Sequence, residues 1–73
     1  MSVYVLTDDV WHEGQKVRLF TDRGRAVREA RETWRRVLAD GLASQREVHV
    51  QEWSGEGEME VADTIWHSDD FKE

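Results

Sequence analysis

TDRGRAVREARETWRRVLADGL, residues 21–42, is the stretch that decides the fold. Ala26, Val27, Ala30, Trp34, Val37 and Leu38 recur at three- and four-residue intervals, the spacing of one face of an α-helix. Thr21 or Asp22 can cap its start, and Gly41 can end it. At about 100° per residue, Arg25, Arg28, Arg35 and Arg36 fall opposite the apolar face with Glu32 among them, and Arg31 and Glu29 flank the group. The reading is an amphipathic helix whose outer face is mainly basic.

Strands are predicted on both sides of this helix. Residues 3–7, VYVLT, form a β-branched and aromatic run that ends at the turn-favouring Asp8 and Asp9. Residues 8–15 then make a connection carrying Trp11. In residues 16–21, KVRLFT, Val17 and Leu19 alternate with Lys16, Arg18 and Phe20, which predicts a second strand antiparallel to the first. After the helix, residues 47–53 put Val48 and Val50 on one face and His49, Gln51 and Trp53 on the other. Residues 54–57, SGEG, are turn formers. Residues 58–66 then set Met59, Val61 and Ile65 against Glu58, Glu60, Ala62, Thr64 and Trp66, completing a hairpin. Residues 67–73, HSDDFKE, read as a frayed tail. The expectation is one α+β domain over residues 1–73, in the order β-β-α-β-β. Its helix should lie on one face of a four-stranded, mainly antiparallel sheet.

Composition bounds what this domain can be. A chain of 73 residues buries only about 60% of the surface its unfolded form exposes, so its margin of stability is thin. It has no cysteine, which removes disulfides and Cys-based metal sites and leaves packing or self-association to stabilise it; a structural homodimer is therefore one reading. Four tryptophans and no proline argue against a disordered linker. No apolar run reaches about 18 residues, and MSVYVLTDD lacks the basic segment and apolar core of a signal peptide. A soluble, cytoplasmic protein with no membrane partner is expected.

Charge is divided along the chain. Residues 1–15 sum to −3, residues 16–46 to +5 and residues 47–73 to −8, within a net charge of −6. The molecule should present a basic helix and an acidic C-terminal hairpin. Same-face residues of a strand stand roughly 6.7 Å apart, so Glu56, Glu58 and Glu60 would form a row of carboxylates resembling a phosphate backbone. Trp34 belongs to the helix's apolar face and is expected in the core. If the helix covers Val48, Val50, Val61 and Ile65, then Trp53, Trp66 and Phe20 lie on the uncovered side of the sheet, where large aromatics beside charge serve as binding anchors.

Chemistry is less well served. A general acid and base need a concave site that drives their pKa values apart, and a sheet with one helix offers little concavity. His12, His49 and His67 are scattered and show no metal-ligand spacing, so a metal site built from them with Asp8, Asp9, Asp69 or Asp70 is not expected. EGEMEV lacks the acid spacing of a calcium loop, and neither GxSxG nor a phosphate-binding glycine loop is present. No catalytic residue, metal or cofactor is predicted.

VYVLT, WHEG and VRLFTDRGRAVREA, within residues 3–38, resemble small uncharacterised proteins of phages and mobile elements. In those proteins a short hairpin enters a helix through a phenylalanine-threonine-aspartate step, with alanines four apart. That resemblance implies a mobile-element setting, where very small acidic proteins inhibit host defence complexes, as anti-CRISPR proteins do; it carries over no functional residue. The expected function is a non-enzymatic inhibitor that binds a basic, nucleic-acid-handling protein. Glu56, Glu58 and Glu60 would supply the charge, and Trp53 and Trp66 the anchors. The alternative is direct nucleic-acid binding by Arg25, Arg28, Arg31, Arg35 and Arg36.

Overall fold

The computed structural model describes residues 2–10, 13–54 and 61–71. Asp22 opens the helix α1 (Arg23–Ala39): its carboxylate accepts the backbone N–H groups of Gly24 at 2.8 Å and Arg25 at 3.3 Å, two donors that a helix start leaves without partners. At the other end Gly41 adopts φ 71°, a left-handed conformation that glycine tolerates best. Gly41 N–H then donates to Leu38 O, and Leu42 N–H to Val37 O, the paired bonds of a Schellman turn. The sequence therefore writes both ends of α1.

Four antiparallel strands make one sheet: β1 (Ser2–Val10), β2 (Gly14–Phe20), β3 (Arg46–Ser54) and β4 (Val61–His67), in the spatial order β2-β1-β3-β4. Along the chain α1 falls between β2 and β3, and a short 3-10 helix (Ser68–Phe71) follows β4. The class is α+β, with α1 seated on the two central strands. Leu6 of β1 and Val48 and Val50 of β3 meet Ala26, Ala30, Trp34 and Val37 of α1 in one buried cluster. Each fully buried aliphatic contributes roughly 1.5–3 kcal/mol, and alanines at the contact let the helix come close to the sheet. No helix among the described residues is long and apolar enough to cross a membrane.

The structure departs from the expected pattern in four places. Asp8 and Asp9, expected to end the first strand, continue β1 through Val10, because Asp8 lies under the helix side and pairs with Arg46. Of residues 67–73, expected to fray, residues 67–71 take regular structure. His67 ends β4, and Ser68 is fully buried with its Oγ accepting the Val48 N–H at 3.1 Å.

Trp66, expected on the uncovered side, is only 8% exposed and belongs to the core cluster. The cause is a β-bulge: Val50 pairs with Trp66 but Gln51 pairs with Thr64, so Ile65 is an extra residue that turns Trp66 towards the helix. Phe20, also expected on the uncovered side, packs against the core from the helix side, with the guanidinium groups of Arg18 and Arg25 5.7 Å and 5.8 Å from its ring centre. Its pairing with Tyr4 fixes that face, and the same alternation sends Val17 and Leu19 outward.

Candidate functional site

The sheet has one covered and one open face, and register decides what lies on each. Leu6 pairs with Arg18 and Val50, so even-numbered residues of β1, β2 and β3 lie beneath the helix. The odd-numbered residues point the other way: Val3, Val5, Thr7 and Asp9 of β1, Val17 and Leu19 of β2, and Glu47, His49, Gln51 and Trp53 of β3. Val17 is 54% exposed and Leu19 69% exposed, the largest exposures among the described big hydrophobic residues. Val5 stands between Leu19 and Gln51, and Val3 beside Trp53, so the aliphatics and the indole form one apolar tract across three strands. An uncovered tract of this kind marks a binding surface.

Charge is sorted by the same two faces. Arg18 reaches Glu29 at 3.5 Å and Thr33 at 3.3 Å on α1, Arg46 pairs with Asp8, and Lys16 lines the hollow between β2 and the helix. The remaining described arginines, Arg23, Arg25, Arg28, Arg31, Arg35 and Arg36, are on α1 itself. Among the described residues, every Lys and Arg thus belongs to the helix side. The strand positions of the open face carry Asp9 and Glu47 instead.

The expected site residues are scattered over this geometry. Trp53 stands on the open face, paired with Val3 and Ala62. Trp66 is in the core and cannot serve as a surface anchor. The row Glu56, Glu58 and Glu60 lies outside the described residues. Arg25, Arg28, Arg31, Arg35 and Arg36 are all exposed along α1. Arg25 is engaged with Phe20, Arg28, Arg31 and Arg35 line a shallow surface with Val27 and Glu32, and Arg36 joins Lys16, Arg18 and Arg46 around a hollow of about 390 Å³.

The open face also holds a group that spacing along the chain does not reveal. His49 of β3 and His67 of β4 are direct cross-strand partners, and their rings stack 5.8 Å apart with 9° between planes. Glu47, two residues before His49, puts its Oε1 2.8 Å from His67 Nε2 and 3.8 Å from His49 Nδ1. Burial pushes the His49 pKa down and the His67 ring pushes the same way, while Glu47 and Asp9 oppose both. His49 Nδ1 is buried and has no hydrogen-bond partner. Only the strand register could have exposed this cluster.

No family model, no curated protein and no solved structure matches the chain. The functional reading therefore rests on the geometry of the two faces.

Proposed function

We propose that this protein is a non-enzymatic interaction module that docks the open face of its sheet onto a basic, nucleic-acid-handling protein and blocks its access to DNA or RNA. The observation that carries the reading is the sorting of side chains: exposed Val17 and Leu19, with Val3, Val5 and Trp53, share a face with acids and with no described Lys or Arg. A complementary partner has an apolar centre within a basic rim, as proteins that grip nucleic acid often do. Trp53, Val17 and Leu19 are the anchors in this reading, in place of Trp66. Glu56, Glu58 and Glu60 follow Trp53 in the chain and carry −3. The setting proposed is inhibition of a host complex from a mobile element, in the manner of anti-CRISPR proteins.

The test is capture from a host fraction enriched in nucleic-acid-binding proteins. The protein should retain a component that duplex DNA displaces, and V17K/L19K should lose it while keeping a wild-type circular dichroism spectrum. Reversal of Glu56, Glu58 and Glu60 to lysine should weaken retention and flatten its dependence on salt. Retention that survives both variants, or that DNA does not displace, counts against this reading. A dimer in light scattering that V17K/L19K dissolves would assign the face to a second copy.

A second reading has its own observation. The helix side gathers Lys16, Arg18, Arg36 and Arg46 around one hollow and Arg28, Arg31 and Arg35 on the adjoining surface, an arrangement suited to phosphates. Direct binding predicts that the free protein shifts short DNA in an electrophoretic assay and that R28E/R31E/R35E abolishes the shift. The docking reading predicts no shift.

A further inference from the structure

We propose that Glu47, His49 and His67 form a binding site for one divalent transition-metal ion, with Zn²⁺ as its natural probe, that clasps β3 to β4. The three side chains place one ligand atom each within 4.8 Å of one another. A metal bonded to imidazole nitrogen and carboxylate oxygen at about 2.0–2.2 Å holds its ligand atoms roughly 3.3 Å apart in a tetrahedron, so closing the site takes small side-chain rotations and no backbone movement. The residue types are also suited: two imidazoles and one carboxylate favour Zn²⁺, Ni²⁺ or Cu²⁺ over Mg²⁺ or Ca²⁺, which prefer all-oxygen shells. Three protein ligands on an uncovered face leave a position for water.

Two details beyond the cluster itself point to a ligand. The buried His49 Nδ1 has no hydrogen-bond partner, and it lies 3.8 Å from the Glu47 oxygen that also meets His67. A metal supplies the partner that this nitrogen lacks. His67 is also supported from behind. Its Nδ1 accepts the Asp69 N–H at 3.0 Å, which leaves the ring proton on Nε2, donated to Glu47 across 2.8 Å. The metal takes the place of that proton. The ring proton moves to Nδ1 with no net release to solvent, and the Nδ1–H donates to the Asp69 carboxylate, whose Oδ2 lies 3.6 Å away, in the carboxylate–histidine–metal arrangement. The Asp69 N–H gives up its acceptor in the exchange.

Zn²⁺ binding needs no docked partner, and its tests read metal binding directly. Calorimetry of the full chain with ZnCl₂ should give one equivalent bound, with MgCl₂ and CaCl₂ silent. H49Q and H67Q should each weaken Zn²⁺ binding more than about tenfold, and D69N by about tenfold, the size of effect seen for outer-shell partners. H12Q, which removes the remaining histidine, should leave it unchanged. Because a substitution in the sheet can also unfold the protein, the wild type is followed by histidine side-chain nitrogen NMR. Zn²⁺ should shift the His49 and His67 resonances, move the His67 proton from Nε2 to Nδ1, and leave His12 in place. The absence of saturable heat with ZnCl₂, binding that survives H49Q and H67Q, or resonances that move at His12 instead would overturn the site.

Discussion

Ser68 and Tyr4 each show a single side chain settling a piece of the fold. Ser68 is fully buried, and its hydroxyl accepts the N–H of Val48 of β3. S68A leaves that donor buried without its partner, and the expected loss is about 1–3 kcal/mol of unfolding free energy, read from urea denaturation followed by tryptophan fluorescence. Tyr4 faces Glu52 across β1 and β3, and the hydrogen bond to that carboxylate, followed by desolvation, pushes the phenol above its ordinary value of 10.0. Here the neutral form is the one the fold favours. Below the ordinary value both states keep the proton and stability is unaffected; as pH rises past it, the unfolded chain ionises first and the fold loses stability until the folded pKa is passed. The chain has one tyrosine, so phenolate absorbance reports it alone. The titration should lie above that of free tyrosine, and E52Q should bring it back towards the ordinary value; coincident curves would remove the hydrogen bond from this account.

α1 was the most legible element because its evidence is local: the apolar spacing, Asp22 before it and Gly41 after it are all within one short stretch. D22A should cost about 0.5–2 kcal/mol of stability, since two backbone donors lose their acceptor, and thermal unfolding by circular dichroism measures it. An unchanged midpoint would mean that water replaces the cap fully. The strands were legible as strands and less so as faces. Alternation in residues 16–20 separates Val17 and Leu19 from Lys16, Arg18 and Phe20, but which set meets the helix depends on pairing with β1, a long-range fact. Trp66 illustrates the sharper limit. One extra residue, Ile65, reverses the face of everything after it, and no residue near it in the sequence announces a bulge. The pairing of His49 with His67 was hidden for the same reason, because 17 residues separate two rings that the register stacks.

On the scale of the whole molecule, the division of charge along the chain becomes a division between faces. The basic middle segment supplies α1 and the cations beneath it, which pair with Glu29 and Asp8 or line the helix side. The other face is left apolar with acids, and that asymmetry is the basis of the docking proposal. V17K/L19K touches two exposed side chains, so its stability should stay within about 0.5 kcal/mol of wild type while partner affinity falls by at least about tenfold, the scale of losing an interface anchor. Surface plasmon resonance against the captured partner, beside a melting curve, separates the two effects. The most direct measurement is the amide NMR spectrum of the protein with that partner added. Docking through the open face predicts shifts concentrated at Val5, Val17, Leu19 and Trp53, with α1 unmoved; shifts concentrated at Arg28, Arg31 and Arg35 would contradict it.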